Sequence, residues 1–132
     1  MSALQPTDIG SQTILIVENN LTDSKLLRAL LAGSEYIIRA VNTAEHALES
    51  LKTEQPALML IDLDLPVMDG IALAGQLKQA AATAPIPMIA ISAYTEGFSR
   101  KAVMDAGFAA YLVKPIDTRM LLANVAAALK RN

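Results

Sequence analysis

The sequence predicts an α/β domain built as a doubly wound, five-stranded parallel sheet. Three observations carry this. Five short apolar runs recur along the chain. Each is followed by a stretch with apolar residues at helical spacing. The runs read as apolar on both faces, as expected of strands covered on both sides by helices. Right-handed crossovers then leave few topologies.

Thr13 to Val17 (TILIV) is a short run rich in β-branched residues and reads as a buried strand. Asn19 and Asn20 end it, and Asn20 suits a helix N-cap. Leu26, Leu27, Leu30 and Leu31 recur at helical spacing, with Gly33 closing that helix. Tyr36 to Val41 is the second strand. Thr43 to Lys52 is a helix with Ala44, Ala47, Leu48 and Leu51 on one face and Thr43 as its cap. Pro56 breaks the chain before a third strand, Ala57 to Ile61. After a turn at Pro66 to Gly70, Ile71 to Ala82 is helical, with Ile71, Ala74 and Leu77 inward. Pro85 and Pro87 precede a fourth strand, Met88 to Ile91. Ser99 to Ala106 is a helix ended by Gly107, Ala109 to Val113 the fifth strand, and Thr118 to Lys130 the last helix, with Leu121, Leu122, Val125 and Leu129 toward the core. Residues 1–12 read as a loose tail, and 13–132 as one domain.

Composition narrows the function classes. A chain of 132 residues fits one domain and buries roughly two thirds of its unfolded surface without a covalent staple. The absence of Cys excludes disulfides, thiol catalysis and Cys-bound zinc, and a single histidine, His46, excludes a multi-His metal site. A net charge of −2 leaves no basic footprint for nucleic acid. With 53% hydrophobic and 18% charged residues the chain is globular rather than disordered. No apolar run reaches the ~18 residues of a membrane span, and Met1 to Gln12 lacks the features of a signal peptide. A cytoplasmic protein is the expectation.

In doubly wound sheets the chemistry collects at the C-terminal ends of the strands. Just past those ends lie Glu18 and Asn19, Asp62 and Asp64, Ser92, and Lys114. Acids, an amide, a hydroxyl and an ammonium thus converge from four strands. Asp62 stands out, because its apolar run delivers one carboxylate to the mouth of a loop. Phosphoryl transfer to Asp62 fits this set. A carboxylate can act as nucleophile and form an acyl phosphate, and that transition state needs positioning and charge neutralisation. Mg²⁺ prefers such oxygen ligands, here from Asp62 and Glu18. Lys114 offers a point charge and Ser92 a hydroxyl donor to the phosphoryl oxygens. Asp69-Gly70 reads as turn and cap chemistry, and His46 as a helix-surface residue.

Four motifs then carry a resemblance: Ile14-Leu15-Ile16-Val17-Glu18-Asn19-Asn20, Asp62 through Gly70, Ile91-Ser92-Ala93, and Tyr111-Leu112-Val113-Lys114-Pro115. In order and spacing the chain resembles the receiver domain of bacterial two-component response regulators, the CheY-like fold. The resemblance implies a flavodoxin-like (βα)5 sheet with strand order 2-1-3-4-5. It implies that Asp62 accepts a phosphoryl group from a histidine kinase or phosphotransfer protein, with Mg²⁺ held partly by the Asp64 backbone carbonyl. It makes Ser92 and Tyr111 the switch pair and Lys114–Pro115 a cis peptide. Phosphorylation would draw Ser92 inward and let Tyr111 rotate in, changing a surface on the fourth helix, fifth strand and fifth helix near Arg100, Met104, Tyr111 and Arg119, which an unknown downstream protein reads. Tyr94 would flank the phosphoryl group. No direct nucleic-acid binding, no membrane association and no enzymatic activity beyond self-phosphorylation and self-dephosphorylation are implied; homodimerisation stays open.

One position departs from the family pattern. The first strand of a receiver usually ends in two acids, the second of which binds the metal; here the pair is Glu18-Asn19. A neutral amide oxygen is a weaker ligand, so Asn19 is expected to lower Mg²⁺ affinity and to reduce like-charge pressure on Asp62. This keeps a second reading alive, a degenerate receiver that works as a phosphorylation-independent binding or dimerisation module. A haloacid-dehalogenase-type phosphatase also uses an aspartyl nucleophile with an acid two residues on, as at Asp64. It normally carries a cap domain, for which 132 residues leave little room.

Overall fold

The computed structural model describes residues 12–93 and 97–130. The expected tail, apart from Gln12, and Tyr94 lie outside the described residues. Strands β1 (Thr13–Val17), β2 (Ile37–Val41), β3 (Leu58–Asp62), β4 (Met88–Ser92) and β5 (Ala110–Val113) alternate with helices α1 (Leu21–Leu31), α2 (Ala44–Ser50), α3 (Gly70–Gln79), α4 (Arg100–Asp105) and α5 (Thr118–Lys130). The strands form one sheet in the order β2-β1-β3-β4-β5, every pair parallel, as expected.

The period of two along each strand sorts the core into two layers. Leu15, Val17, Met59, Ile61, Met88, Ala90 and Tyr111 face one side and pack with residues of α2, α3 and α4, among them Ala47, Leu73, Leu77 and Val103. Ile14, Ile16, Leu58, Leu60, Ile89, Ile91 and Leu112 face the other and pack with Leu27 and Leu31 of α1 and with Leu121, Val125 and Ala128 of α5. All residues of β3 and β4 are buried, which explains why each is apolar up to its last residue, Asp62 and Ser92.

Several helix ends follow the expected chemistry. Asn20 Oδ1 accepts from the Asp23 amide at 2.9 Å, Thr43 Oγ1 from His46 at 2.9 Å and Ser99 Oγ from Ala102 at 3.0 Å, each satisfying an amide that has no partner within its helix. Gly107 follows α4 with φ +106, a backbone that favours glycine.

Four expectations are corrected. β2 is half-exposed, not covered on both faces, because it lies at the edge of the sheet. Gly33 does not supply a left-handed cap: α1 ends on Ala32 with ordinary helical backbone. Leu26 is 46% exposed, so the buried stripe of α1 runs through Leu27 and Leu31. α3 stops at Gln79 rather than Ala82. Ala80 leaves the helix with extended backbone (φ −99, ψ 128), and Thr83 Oγ1 donates to the Leu77 carbonyl at 2.7 Å, taking a last-turn acceptor in place of a helix amide.

Candidate functional site

The parallel register brings the C-terminal ends of β1, β3, β4 and β5 to one edge. Asp62 is the last residue of β3 and Ser92 the last of β4; both are buried. Glu18 directly follows β1 and is only 2% exposed. Lys114 directly follows β5 and precedes a cis peptide to Pro115.

These side chains meet. Lys114 Nζ donates to Glu18 Oε1 at 2.9 Å and to Asp62 Oδ2 at 3.4 Å. The other Asp62 oxygen, Oδ1, accepts from the Asp64 amide at 3.0 Å, and Glu18 Oε2 accepts from the Asn20 amide at 3.0 Å. Both carboxylates are thus oriented by backbone just beyond their own strands. Gly70 permits the close return of α3 over this loop. A Cβ there would lie 2.8 Å from the Asp62 carbonyl oxygen and from Leu63 Cα, and the Gly70 amide donates to the Leu63 carbonyl at 3.2 Å. Asp69, read as turn and cap chemistry, accepts from the Ala72 amide at 2.8 Å as the N-cap of α3.

The electrostatics follow from crowding. Burial, reinforced by a hydrogen bond with Asp62, lifts the Glu18 carboxyl to about 7, against the opposing pull of Lys114. Burial disfavours the charge on Lys114. Its hydrogen bonds to Asp23 and Glu18 and the field of Asp62 more than offset that, and hold it above the ordinary lysine value.

Not every expected residue joins this cluster. Asn19 is exposed, and its amide nitrogen points to the Asn42 carbonyl at 3.5 Å, a long contact. Ser92 Oγ donates to Asp64 Oδ2 at 2.8 Å. The Asp64 side chain, to which the sequence reading gave no partner, therefore ties β4 to the loop after β3. Tyr111 is buried in the layer beneath α4, 7% exposed, with the Arg100 guanidinium 5.7 Å from its ring centroid. Its ring is already inward, whereas the sequence reading expected rotation inward to follow phosphorylation. Sequence reasoning missed Asp23. This residue of α1 accepts from Lys114 Nζ at 2.8 Å, the shortest of the three contacts.

The oxygen donors at this edge suit a hard divalent cation. Two carboxylates, Glu18 and Asp62, stand beside the loop that carries the Asp64 carbonyl. Among the described residues no three His, Cys, Asp or Glu side chains form a ready metal cage. The two carboxylates fit Mg²⁺, which keeps several waters and needs only one or two such ligands. No helix among the described residues is long and apolar enough to cross a membrane.

Comparison with known proteins agrees with this geometry. The chain is 34% identical over 119 residues to the KDP operon transcriptional regulatory protein KdpE of Escherichia coli, a match covering 90% of this chain and 52% of that protein. The chain thus spans about half the length of that relative. It is 32% identical over 114 residues to an uncharacterized 14.6 kDa protein of Leptolyngbya boryana, covering 86% of this chain and 87% of the other. A crystal structure of the receiver domain of a sensor histidine kinase from Pseudomonas aeruginosa PAO1, with a magnesium ion coordinated in its active-site cleft, superposes with a TM-score of 0.83 at 26% identity. That superposition covers 91% of this chain and 98% of the other. Residues 14–126 match the response regulator receiver domain family, and with the strand order and the acid–lysine edge in agreement, the chain belongs to that family.

Proposed function

We propose that this receiver domain accepts a phosphoryl group on Asp62 from a phosphohistidine of a histidine kinase or phosphotransfer protein, in a Mg²⁺-dependent reaction in the cytoplasm. One observation carries the reading: a buried strand-end carboxylate, Asp62, is held by Lys114 on one oxygen and by the Asp64 amide on the other. A carboxylate oxygen of Asp62 attacks phosphorus. The O–P bond of an acyl phosphate forms as the P–N bond to the donor imidazole breaks. The electron pair returns to the ring nitrogen, and with the other ring nitrogen of the donor protonated the imidazole leaves neutral; Asp62 enters as a carboxylate and gives up no proton. Lys114 neutralises charge on the phosphoryl oxygens. Ser92 exchanges its bond to Asp64 for one to a phosphoryl oxygen, and this local change biases the packing of Tyr111 under Arg100. Glu18, Asp62 and the Asp64 carbonyl would hold Mg²⁺, with Asn19 as a weak outer partner; when bound, the ion supplies positive charge to the phosphoryl oxygens. The magnesium in the similar Pseudomonas receiver supports that assignment.

Asn19 lowers Mg²⁺ affinity and slows phosphorylation without abolishing it. Restoring the acid, Asn19→Asp, raises Mg²⁺ affinity roughly tenfold by adding a charged ligand; equal affinities reject this. Because Asn19 turns toward Asn42, a second reading keeps a specific basis: a phosphorylation-independent binding or dimerisation module. Incubation with acetyl phosphate and Mg²⁺, followed by intact mass, separates the two. A gain of one phosphoryl group that Asp62→Asn abolishes supports the first reading. No gain under conditions that phosphorylate Asn19→Asp supports the second.

A further inference from the structure

Lys114 has three N–H donors, and the structure assigns all of them to carboxylates: Asp23 at 2.8 Å, Glu18 at 2.9 Å and Asp62 at 3.4 Å. A phosphoryl group arriving on Asp62 brings further oxygens that need the same ammonium. Phosphorylation frees only the N–H turned to Asp62 Oδ2, the longest contact at 3.4 Å; a phosphoryl oxygen that draws the ammonium closer, or takes a second N–H, displaces another partner.

The three partners differ in what replaces the lost bond. The Glu18 side chain is 1% exposed. Leaving it without Lys114 would strand a buried carboxylate or force its protonation. Asp62 loses its carboxylate charge on becoming the acyl phosphate, and its share of Lys114 passes to the phosphoryl group itself. The Asp23 side chain is 34% exposed, so water can take over its oxygen at small cost. Asp23 also comes from α1, whereas Glu18 and Asp62 sit at strand ends, and it is fixed there by the Asn20 cap on its own amide. Its carboxylate can swing out without moving the sheet.

We propose that Asp23 is the resting counter-ion of Lys114, a positioning residue that competes with the phosphoryl group for the ammonium and yields it when Asp62 is phosphorylated. This rests on the phosphoacceptor reading above. It also gives the acidic edge a third carboxylate in a chain where the second position of the usual acidic pair is Asn19. The cost is a competitor for the one cation that the phosphoryl group needs.

Beryllofluoride, a stable phosphoryl mimic, tests this when titrated at saturating Mg²⁺ and followed by the backbone amide shifts of Asp62 and Ser92. Asp23→Asn keeps the side-chain shape and removes the competing charge. It should bind beryllofluoride about threefold to tenfold more tightly than the native chain, while Asp23→Glu returns to native affinity. In metal-free protein the Lys114 Nζ resonance should shift in Asp23→Asn and not in Asp23→Glu, a readout independent of any phosphoryl chemistry. Native binding with an Asp23→Asn variant that binds equally or more weakly overturns the inference and leaves the phosphoacceptor reading intact. No native binding at saturating Mg²⁺ overturns both.

Discussion

Replacing Gly70 with alanine sets two opposing effects against each other. Alanine is the better helix former, and Gly→Ala at an unhindered helix position gains about 0.5–1 kcal/mol. At Gly70 the new Cβ meets the Asp62 carbonyl oxygen, Leu63 Cα and Leu63 Cδ2, each at 2.8 Å. Carbon contacts are optimal at about 3.5–4.0 Å, so the overlap is large, and two of the three atoms are backbone. That backbone has little room to yield. Leu63 is fully buried, and its amide donates to the Ile91 carbonyl at 2.8 Å. Overpacking of this kind costs roughly 1–3 kcal/mol. The steric effect wins, and Gly70→Ala should be less stable by roughly 1–2 kcal/mol. The displaced backbone carries Asp62, so Mg²⁺ affinity should fall with it. Urea denaturation with the metal chelated, paired with Mg²⁺ titration calorimetry, measures both. A variant that gains stability, as Gly→Ala does in an open helix, would refute the reasoning about this close approach.

Three further outcomes follow from the same edge. Lys114→Met leaves buried Glu18 and Asp62 without their cation, which should cost roughly 3–5 kcal/mol in metal-free protein; Mg²⁺ should recover more stability than it gives the native chain, and melts without such recovery count against the ion-pair account. The Glu18 carboxyl is lifted from 4.5 to about 7, so between those values the folded chain holds a proton that the unfolded chain has released. Metal-free stability should therefore fall by up to roughly 3 kcal/mol as pH rises from about 5 to about 7, then level off; Glu18→Gln should flatten that slope, and a native profile that rises over this range contradicts the assignment. Ser92→Ala removes the bond to Asp64 and should cost about 1 kcal/mol in denaturant unfolding, with no loss arguing that the bond does not hold the loop.

The strands were legible because an apolar run covered on both faces has few other interpretations, and β3 and β4 are buried throughout. The acid–lysine edge was legible because Asp62 and Lys114 sit at strand ends, where the sheet itself brings them together. What stayed hidden depends on geometry that no local pattern encodes. Asp23 is one of several polar residues opening a helix, and its partner lies 91 positions away. Tyr36 to Val41 carries a charge, Arg39, that the central runs lack, a local sign of an exposed face, but only the strand order makes β2 an edge. Gly33 read as a cap by residue type, but the chain turns there without a left-handed backbone. The Ser92–Asp64 bond spans 28 positions and is set by how the loop after β3 folds back.

The central claim is that Asp62 is the phosphoacceptor, and chemical mapping tests it most directly. The native chain is incubated with acetyl phosphate and Mg²⁺, reduced with borohydride and digested. An acyl phosphate is reduced to the alcohol, so the account predicts homoserine at position 62 and at no other acid. Homoserine at Asp23 or Asp64 or 5-hydroxynorvaline at Glu18 in its place, or no reduced acid in a folded chain saturated with Mg²⁺, would contradict it.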